Sequence, residues 1–272
     1  EVFVMPDLYM SIDEQDSSVQ ERLAEVLETR AADVRQQEML RSYLSETDFP
    51  VATRVLEIGC GTGSVTRTLA QWPDVAEAVG LDPSQVFISK AKELGKGIPN
   101  LYFKLGDGCS LPLNDQSFDV VVIHTTLCHV QKPEKVLAEA FRVLRPNGRL
   151  AVFDGDYAGA TVATGDFDPL EVCIHAFLDG FVHDRWLVRR LPALILSCGF
   201  NTRPMRSHGY VEPGKGAYLL SWVDRGADLL LQAGRIGEEK AEALKAEARR
   251  RISNNQWFGH IAFASIVAGK PG

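Results

Sequence analysis

Three glycines and an acid are the residues of this chain whose types and spacing most clearly suit ligand chemistry. The segment from residue 54 to residue 82 reads as a short apolar strand, a glycine turn, a helical stretch and a second apolar strand. Its glycines are Gly59, Gly61 and Gly63, and Asp82 closes the second strand. Glycine lets a backbone approach a ligand closely and adopt positive φ. A nucleoside or dinucleotide site at the carboxyl edge of a parallel sheet requires this order of elements.

The glycine spacing differs from that of a nicotinamide-binding site. A nicotinamide fingerprint, G-x-G-x-x-G, would place its third glycine where this chain has Ser64. Glu57, two residues before the first glycine, is unusual in an otherwise apolar strand, because a buried carboxylate needs hydrogen-bond donors. We expect Glu57 to accept hydrogen bonds from the backbone around the glycine loop. The alternative is a partly exposed residue at a strand end.

Apolar runs and helical patterns alternate along the chain. Residues 16–44 carry the apolar stripes of two helices, with Asp33 as the expected N-cap of the second. The predicted strands are 55–58, 76–81, 100–105, 118–124, 149–153 and 258–269, with a further candidate at 200–211. Residues 170–198 are predicted to be helical with an interruption at Pro192, and residues 213–253 mainly helical. The alternation predicts an α/β fold with a doubly wound, parallel sheet.

We expect one core domain with helical additions, because the chain shows neither repeats nor a clear linker. Residues 1–50 are predicted to form an N-terminal arm and helical lid. Residues 51–272 are predicted to form the core, with a helical cap inserted at about 213–255. The apolar residues of the arm, before residue 14, would be unfavourable in water, so the arm is expected to pack over another part of the protein.

Composition argues against several classes of partner and location. The formal net charge of −7 would repel a phosphate backbone, and the basic run at 249–251 is interpreted as a solvated helix end. Five scattered cysteines without a C-x-x-C pair indicate reduced thiols, so we expect a cytoplasmic protein. No apolar run reaches the roughly 18 residues of a membrane span. The acidic amino end lacks the basic region of a signal peptide.

Five ordered segments resemble the successive motifs of class I S-adenosylmethionine-dependent methyltransferases. They are VLEIGCGTG at 55–63, GLDPS at 80–84, LGDG at 105–108, FDVVVIH at 118–124 and FRVLRPNGRL at 141–150. Residues 124–150 are more narrowly similar to the small-molecule branch that includes the ubiquinone and menaquinone C-methyltransferases. The resemblance implies a Rossmann-like sheet of about seven mainly parallel strands with an antiparallel last strand. It also implies methyl transfer from S-adenosylmethionine, with S-adenosylhomocysteine as the product.

The resemblance further implies which residues bind the cofactor. They are Glu57, Gly59, Gly61, Gly63, Asp82, Pro83, Asp107, Gly108, Cys109, His124 and Thr125. The glycines would let the loop approach the methionine and ribose parts. Asp82 would accept hydrogen bonds from both ribose hydroxyls, and Pro83 would lie against the adenine face.

The remaining cofactor residues follow the third and fourth strands. Asp107 would accept a hydrogen bond from the adenine amino group, and the amide of Gly108 or Cys109 would reach a ring nitrogen. His124 and Thr125 would border the methionine part. For both Asp107 and Asp82, the alternative role is that of a turn cap. For His124 the alternative is an ordinary strand-edge residue.

Methyl transfer from a sulfonium is an in-line displacement with a good leaving group, so positioning the acceptor and excluding water do most of the work. A base is needed only where the nucleophile must lose a proton. His129 is the main candidate, and the alternative is a histidine packed against the following helix. His175, His183 and Asp156 are further candidates. Nothing at ligand spacing completes a metal site with Cys128 and His129, so no metal is expected.

The acceptor is expected to contact residues outside the motifs. The candidates are Tyr9, Tyr157, His175, Tyr218 and Trp222. Aromatic side chains could stack an organic substrate, or they could be ordinary core residues. An apolar arm and a cap suit a small, fairly hydrophobic acceptor, methylated on oxygen or carbon, better than a protein or nucleic acid.

Other functions stay open at this point. One alternative is a protein that keeps the cofactor fold but performs non-methylating chemistry. A nicotinamide-dependent oxidoreductase is disfavoured by Ser64. A nucleic-acid methyltransferase is disfavoured by the net charge and by the missing N-P-P-[YFW] motif. We expect a monomer or a homodimer.

Overall fold

An eight-stranded sheet forms the centre of a computed structural model that describes residues 7–212 and 218–272. Its strands are β1 (Thr53–Ile58), β2 (Val75–Asp82), β3 (Leu101–Leu105), β4 (Phe118–His124), β5 (Leu144–Gly155), β6 (Asn201–Thr202), β7 (Arg206–Val211) and β8 (His260–Gly269). The order is β3-β2-β1-β4-β5-β8-β6, and β7 also pairs with β8. Strands β1 to β5 are parallel, while β8 runs antiparallel to β5, β6 and β7. The predicted Rossmann-like class is therefore confirmed.

The described helices connect and extend this sheet. They are α1 (Ser17–Ala31), α2 (Val34–Ser45), α3 (Ser64–Ala70), α4 (Gln85–Leu94), α5 (Pro133–Val143), α6 (Glu171–Phe181), α7 (Leu187–Ser197), α8 (Tyr218–Gln232) and α9 (Glu238–Ser253). The predicted cap of α8 and α9 lies between β7 and β8, and its first residues, 213–217, lie outside the described residues. No helix in the described ranges is both long enough and apolar enough to cross a membrane.

Two local predictions need correction. The segment 200–211 forms two short strands rather than one, because Pro204 stands between them and has no N–H for the ladder. The helical segment 170–198 breaks before α7, whereas Pro192 lies inside that helix. At the break, the His183 amide donates to the Asp7 carboxylate at 2.8 Å and the Asp184 amide donates to a carbonyl outside the helix.

The strand order places the first and fourth strands side by side. Connections leave β1 on one side, toward β2, and β4 on the other, toward β5. The carboxyl ends of these two neighbours flank the crevice in which α/β sheets of this kind bind ligands. The glycine loop follows β1, and Thr125 follows β4.

The N-terminal segment packs over this edge of the sheet. Asp33 caps α2 as predicted, since its Oδ1 accepts from the amides of Arg35 and Gln36. On α1, Gln20 Oε1 accepts from Ser84 Oγ at 2.6 Å. The described part of the arm also packs on the core: Leu8, Tyr9 and the buried Ile12 contact it. Residues 2, 3 and 5 of the predicted arm lie outside the described residues.

Candidate active site

A cavity of about 1220 Å³ opens at the carboxyl ends of β1, β2 and β4. One group of its lining residues belongs to the loops that follow these strands. A second group comes from the N-terminal segment, α6 and α8. Single small-molecule pockets span roughly 300–1,000 Å³. The cavity is thus large enough for two small molecules in contact with each other.

The glycine loop brings backbone to the cavity wall. Gly59, Gly61 and Gly63 have φ values of 75°, 51° and 80°, which L side chains rarely adopt. A Cβ on Gly59 would lie 2.3 Å from Cγ2 of Thr126, and one on Gly63 would lie 2.5 Å from the Phe103 ring. The predicted need for glycine is thus explained at both ends of the loop. Gly63 is also the N-cap of α3.

Asp82 is buried at the end of β2 and lines the cavity. Its Oδ2 accepts from the Gly61 amide and its Oδ1 from the Ser84 amide, both at 2.9 Å. Each oxygen keeps a lone pair for a further donor. Asp82 is therefore a turn cap that also faces the cavity, beside Pro83. Burial raises the pKa of Asp82 to about 6, against the lowering effect of these two amides.

Glu57 is only 2% exposed and lines the same cavity. Its carboxylate accepts a short hydrogen bond from the Thr66 hydroxyl on α3. The expected partner, backbone of the glycine loop, is thus replaced by this side chain, and the alternative of an exposed strand end is wrong. Burial raises the pKa of Glu57 to about 8, although the Thr66 bond opposes the rise. The carboxyl group is mostly protonated at neutral pH.

Asp107 follows β3 and is exposed at the cavity. Its Oδ1 accepts from the Cys109 amide at 2.8 Å, which is the turn cap considered above. Because that amide is already paired, the neighbouring Gly108 amide is the better placed of the two to reach a ligand. Gly108 and Cys109 also line the cavity.

His124 ends β4 and Thr125 follows it, and both line the cavity. The His124 ring stacks on Phe153, with centroids 4.7 Å apart, and its Nδ1 lies 3.0 Å from the Tyr43 hydroxyl. Burial, with a smaller effect from Arg30, holds the pKa of His124 well below its ordinary value, so the ring is neutral. Thr125 has a φ of 49°, a strained conformation for a β-branched residue and typical of functional sites.

His129 forms a hydrogen-bonded contact with the N-terminal arm. Its Nδ1 lies 2.7 Å from Asp7 Oδ2, and the Tyr9 ring lies 4.9 Å from the imidazole. Asp7 is buried and also accepts from the amides of Tyr9 and His183. Within the described ranges, Nε2 of His129 makes no hydrogen bond, and the residue lines the cavity. Sequence reasoning missed Asp7, because no local pattern links it to a histidine 122 positions away.

The aromatic candidates form the second part of the cavity. Tyr9, Tyr157, Tyr218 and Trp222 all line it. Trp222 is 1% exposed and packs against Tyr157 and Tyr218 with centroid distances of 5.9 and 5.3 Å. Burial raises the pKa of Tyr9 to about 12, so its phenol is protonated at neutral pH.

His175 does not belong to this site. It is exposed on α6 and is absent from the cavity wall, which Phe177 and Phe181 of the same helix line. Residues four positions apart share a helix face, whereas His175 is two residues before Phe177 and faces the other way. The expectation for His175 is therefore wrong. His183 and Asp156 do not line the cavity either, and Asp156 pairs with Arg189.

Two arginines at the cavity were also missed. Arg30 lies on α1 and Arg225 on α8, and both line the cavity. The sequence indicates both positions through helical spacing. Arg30 is seven residues after the buried Leu23, and Arg225 is three residues after the buried Trp222. A charged residue at the edge of an apolar stripe is a reason to expect a ligand or a buried partner.

The amino-acid sequence matches known methyltransferases over the strand-end motifs. Residues 56–152 match the family described as methyltransferase domain. An uncharacterised 37.1 kDa protein in a Streptomyces fradiae transposon is 33% identical over 84% of this chain and 64% of its own length. A demethylmenaquinone methyltransferase of Lactobacillus johnsonii is 36% identical over 36% of this chain and 42% of its own length. The chain thus spans less than two thirds of the length of these curated relatives.

Solved structures share the fold at low sequence identity. The [4+2]-cyclase SpnF superposes with a TM-score of 0.62 and 19% identity, covering 98% of each chain. A Haemonchus contortus phosphoethanolamine N-methyltransferase, in complex with S-adenosylmethionine, superposes with a TM-score of 0.54 and 14% identity over 86% of this chain and 53% of its own. At this identity the likeness establishes the fold alone.

Proposed function

We propose that this chain transfers a methyl group to a small organic acceptor. The premise is that it carries a class I S-adenosylmethionine-dependent methyltransferase domain. The acceptor atom is an oxygen or a carbon. The observation that carries the proposal is the cavity in which the strand-end motif residues and an aromatic wall meet. Cofactor and acceptor would lie in contact there, as an in-line displacement requires.

The residues present fit the cofactor. When bound, S-adenosylmethionine supplies a methyl group on a positively charged sulfur. The carboxylate of Asp82 has lone pairs for two vicinal ribose hydroxyls, and the backbone of the glycine loop can approach closely. Asp107 and the Gly108 amide would bind the adenine edge. His124 and Thr125 would border the methionine part.

His129 is the proposed general base for an acceptor that must lose a proton. Its Nε2 takes the proton from the acceptor hydroxyl or acidic carbon as the new bond to the methyl group forms. Asp7 keeps the proton of the neutral imidazole on Nδ1 and stabilises the imidazolium that follows. Tyr9 packs on the ring and limits its rotation.

The helical additions are proposed to exclude water. Residues of α1 and of the arm before it line the cavity, and so do Tyr218, Trp222 and Arg225 of α8. Residues 1–50 would act as the lid and the insert at about 213–255 as the cap. Water exclusion strengthens electrostatic interactions at the reacting centre and protects it from side reactions.

Trideuteromethyl-labelled S-adenosylmethionine tests the proposal. Incubated with the protein and fractionated small-molecule extracts, it should yield S-adenosylhomocysteine and one labelled product class by mass spectrometry. His129→Asn should lose most of the labelled product, and His175→Asn, the exposed control, should retain it. Cofactor binding without label transfer from any extract contradicts methyl transfer. That outcome would favour the second candidate, non-methylating chemistry on the same fold, which this chain shares with a [4+2]-cyclase.

A further inference from the structure

Two guanidinium groups face the aromatic part of the cavity without a carboxylate partner. Neither Arg30 nor Arg225 makes a salt bridge within the described residues, whereas Arg67 of the same cavity wall pairs with Glu28. Nη1 of Arg30 donates to the Thr125 hydroxyl at 2.9 Å, while its buried Nη2 has no hydrogen-bond partner among these residues. An unpartnered, buried donor on a charged group is costly, so it points to a missing ligand.

Arg225 is held over two aromatic rings. Its guanidinium carbon lies 4.6 Å from the centroid of Phe177 and 5.0 Å from that of Phe181. Its hydrogen bonds run to Ser221, at 3.2 Å to the carbonyl and 3.1 Å to the hydroxyl. The neighbouring Asp224 is paired with Arg249 instead. The charge of Arg225 is thus positioned by its own helix and by rings, with no anion of the described chain opposite it.

Arg30 and Arg225 both exert an electrostatic effect on the same two phenols, those of Tyr9 and Tyr218. Burial raises the pKa values of Tyr9 and Tyr218, and the positive charges of Arg30 and Arg225 oppose the rise at both phenols. The carboxylate of Asp154 acts on Arg30 through space, but it forms no salt bridge with Arg30 and accepts hydrogen bonds from the amides of Cys128 and Gly155. Asp7, as described above, binds His129. Neither guanidinium group is therefore paired directly with a carboxylate of the described residues.

We propose that the methyl acceptor carries an anionic group, a carboxylate or its equivalent, which Arg30 and Arg225 bind at the aromatic wall. The inference rests on the proposed function and names the class of acceptor: a flat apolar body with an acidic substituent. Guanidinium donors match the planar geometry of a carboxylate, and the rings of Tyr157 and Trp222 suit a flat body. This adds an anionic group to the expected small, fairly hydrophobic acceptor.

Matched acid and amide pairs test the inference. The protein is first saturated with S-adenosylhomocysteine and then titrated calorimetrically with 4-hydroxybenzoate, 4-hydroxycinnamate and 3,4-dihydroxycinnamate, each against its primary amide. At least one acid should bind ten-fold or more tightly than its amide. Arg225→Gln should abolish the preference, Arg225→Lys should keep part of it, and Arg235→Gln, an exposed control, should leave it unchanged. Arg30→Gln gives a second variant if Arg225→Gln fails to fold.

Two failures are distinguishable in this design. If S-adenosylhomocysteine does not bind the wild-type protein, the proposed function fails. If it binds and no acid binds better than its amide, or if the preference survives both glutamine variants, the inference about the anionic acceptor is overturned alone.

Discussion

Asp7 and His129 form the contact on which the proposed proton transfer depends. The carboxylate accepts three hydrogen bonds, from His129 Nδ1 and from two backbone amides, so it is fixed in place before substrate binds. General-base catalysis contributes roughly 10²–10⁴-fold to a rate. A carboxylate that orients a histidine shares in that contribution, because it selects the tautomer and stabilises the imidazolium.

We therefore expect Asp7→Asn to lower kcat by about 10²-fold and His129→Asn by at least as much. The double variant should be little worse than His129→Asn alone, because the two residues act as one unit. Single-turnover methyl transfer with the identified acceptor measures this, and cofactor affinity should stay within about two-fold. Unchanged kcat in both single variants would show that no protein base acts at this position.

Glu57 gives the protein a stability that depends on pH. Its pKa is about 8 in the folded state and about 4.3 in an unfolded chain. The folded state then holds a proton that the unfolded state has lost, so stability falls as pH rises from about 4.5 to about 8 and is level above that. The loss is on the order of a few kcal/mol.

Glu57→Gln should remove this loss, because the amide keeps the shape of the neutral acid and cannot ionise. Denaturant unfolding of the cofactor-free protein at pH 5, 7 and 9 measures it. Relative to wild type, the variant should gain free energy of unfolding as pH rises. Glu25→Gln, on the exposed side of α1, should follow the wild type. A constant difference between Glu57→Gln and wild type across this range would show that the group is not protonated in the folded state.

At the scale of elements, the crossing of α6 and α8 positions the aromatic wall. A Cβ on Gly226 would lie 1.9 Å from the carbonyl oxygen of Cys173, so the two helices touch through backbone at this point. Alanine in a helix interior is usually more stable than glycine by roughly 0.5–1 kcal/mol. Here the clash with backbone outweighs that gain, since overpacking costs about 1–3 kcal/mol and the carbonyl cannot rotate away.

Gly226→Ala should lower Tm by several degrees and weaken acceptor binding more than ten-fold, because α8 carries Tyr218, Trp222 and Arg225. Cofactor affinity should change little, because the strand-end loops do not depend on α8. Scanning calorimetry and acceptor titration measure the two effects. Gly209→Ala is the matched control, since a Cβ there meets nothing within 4 Å. A stabilised Gly226→Ala protein with intact acceptor binding would contradict this account of the crossing.

Secondary-structure elements could be predicted where they depend on a local pattern in the amino-acid sequence. The fourth strand was predicted at its observed bounds, Phe118–His124, because a parallel strand buried on both faces is continuously apolar. The Asp33 cap was predictable from residue type alone. The break before α7 was not, because it depends on the Asp7 carboxylate, which binds the His183 amide from the other end of the chain. Pro192 was the stronger local signal and proved misleading.

At the scale of the molecule, the strand-end side of the cavity, proposed to bind the cofactor, could be predicted, and the side proposed to bind the acceptor could not. Residues 54–153 carry their own signals, since each strand is followed at once by its ligand loop. The acceptor half depends on contacts between distant segments, such as Arg30 with Thr125, 95 positions apart. Sequence placed aromatic residues at the wall but could not tell which charged side chains fold toward them, so Arg30 and Arg225 were missed and His175 was misplaced.

The central claim is that the strand-end loops bind S-adenosylmethionine, and a calorimetric titration of the wild-type protein tests it most directly. S-adenosylmethionine should bind one site per chain, while NADH and NADPH should give no binding. Asp82→Asn should weaken the affinity ten-fold or more, because hydrogen bonds to a carboxylate contribute about 1.5–3 kcal/mol each. Asp166→Asn, an exposed loop control, should bind as wild type does. Folded wild-type protein that gives no binding to S-adenosylmethionine, or that binds NADH instead, would contradict the account.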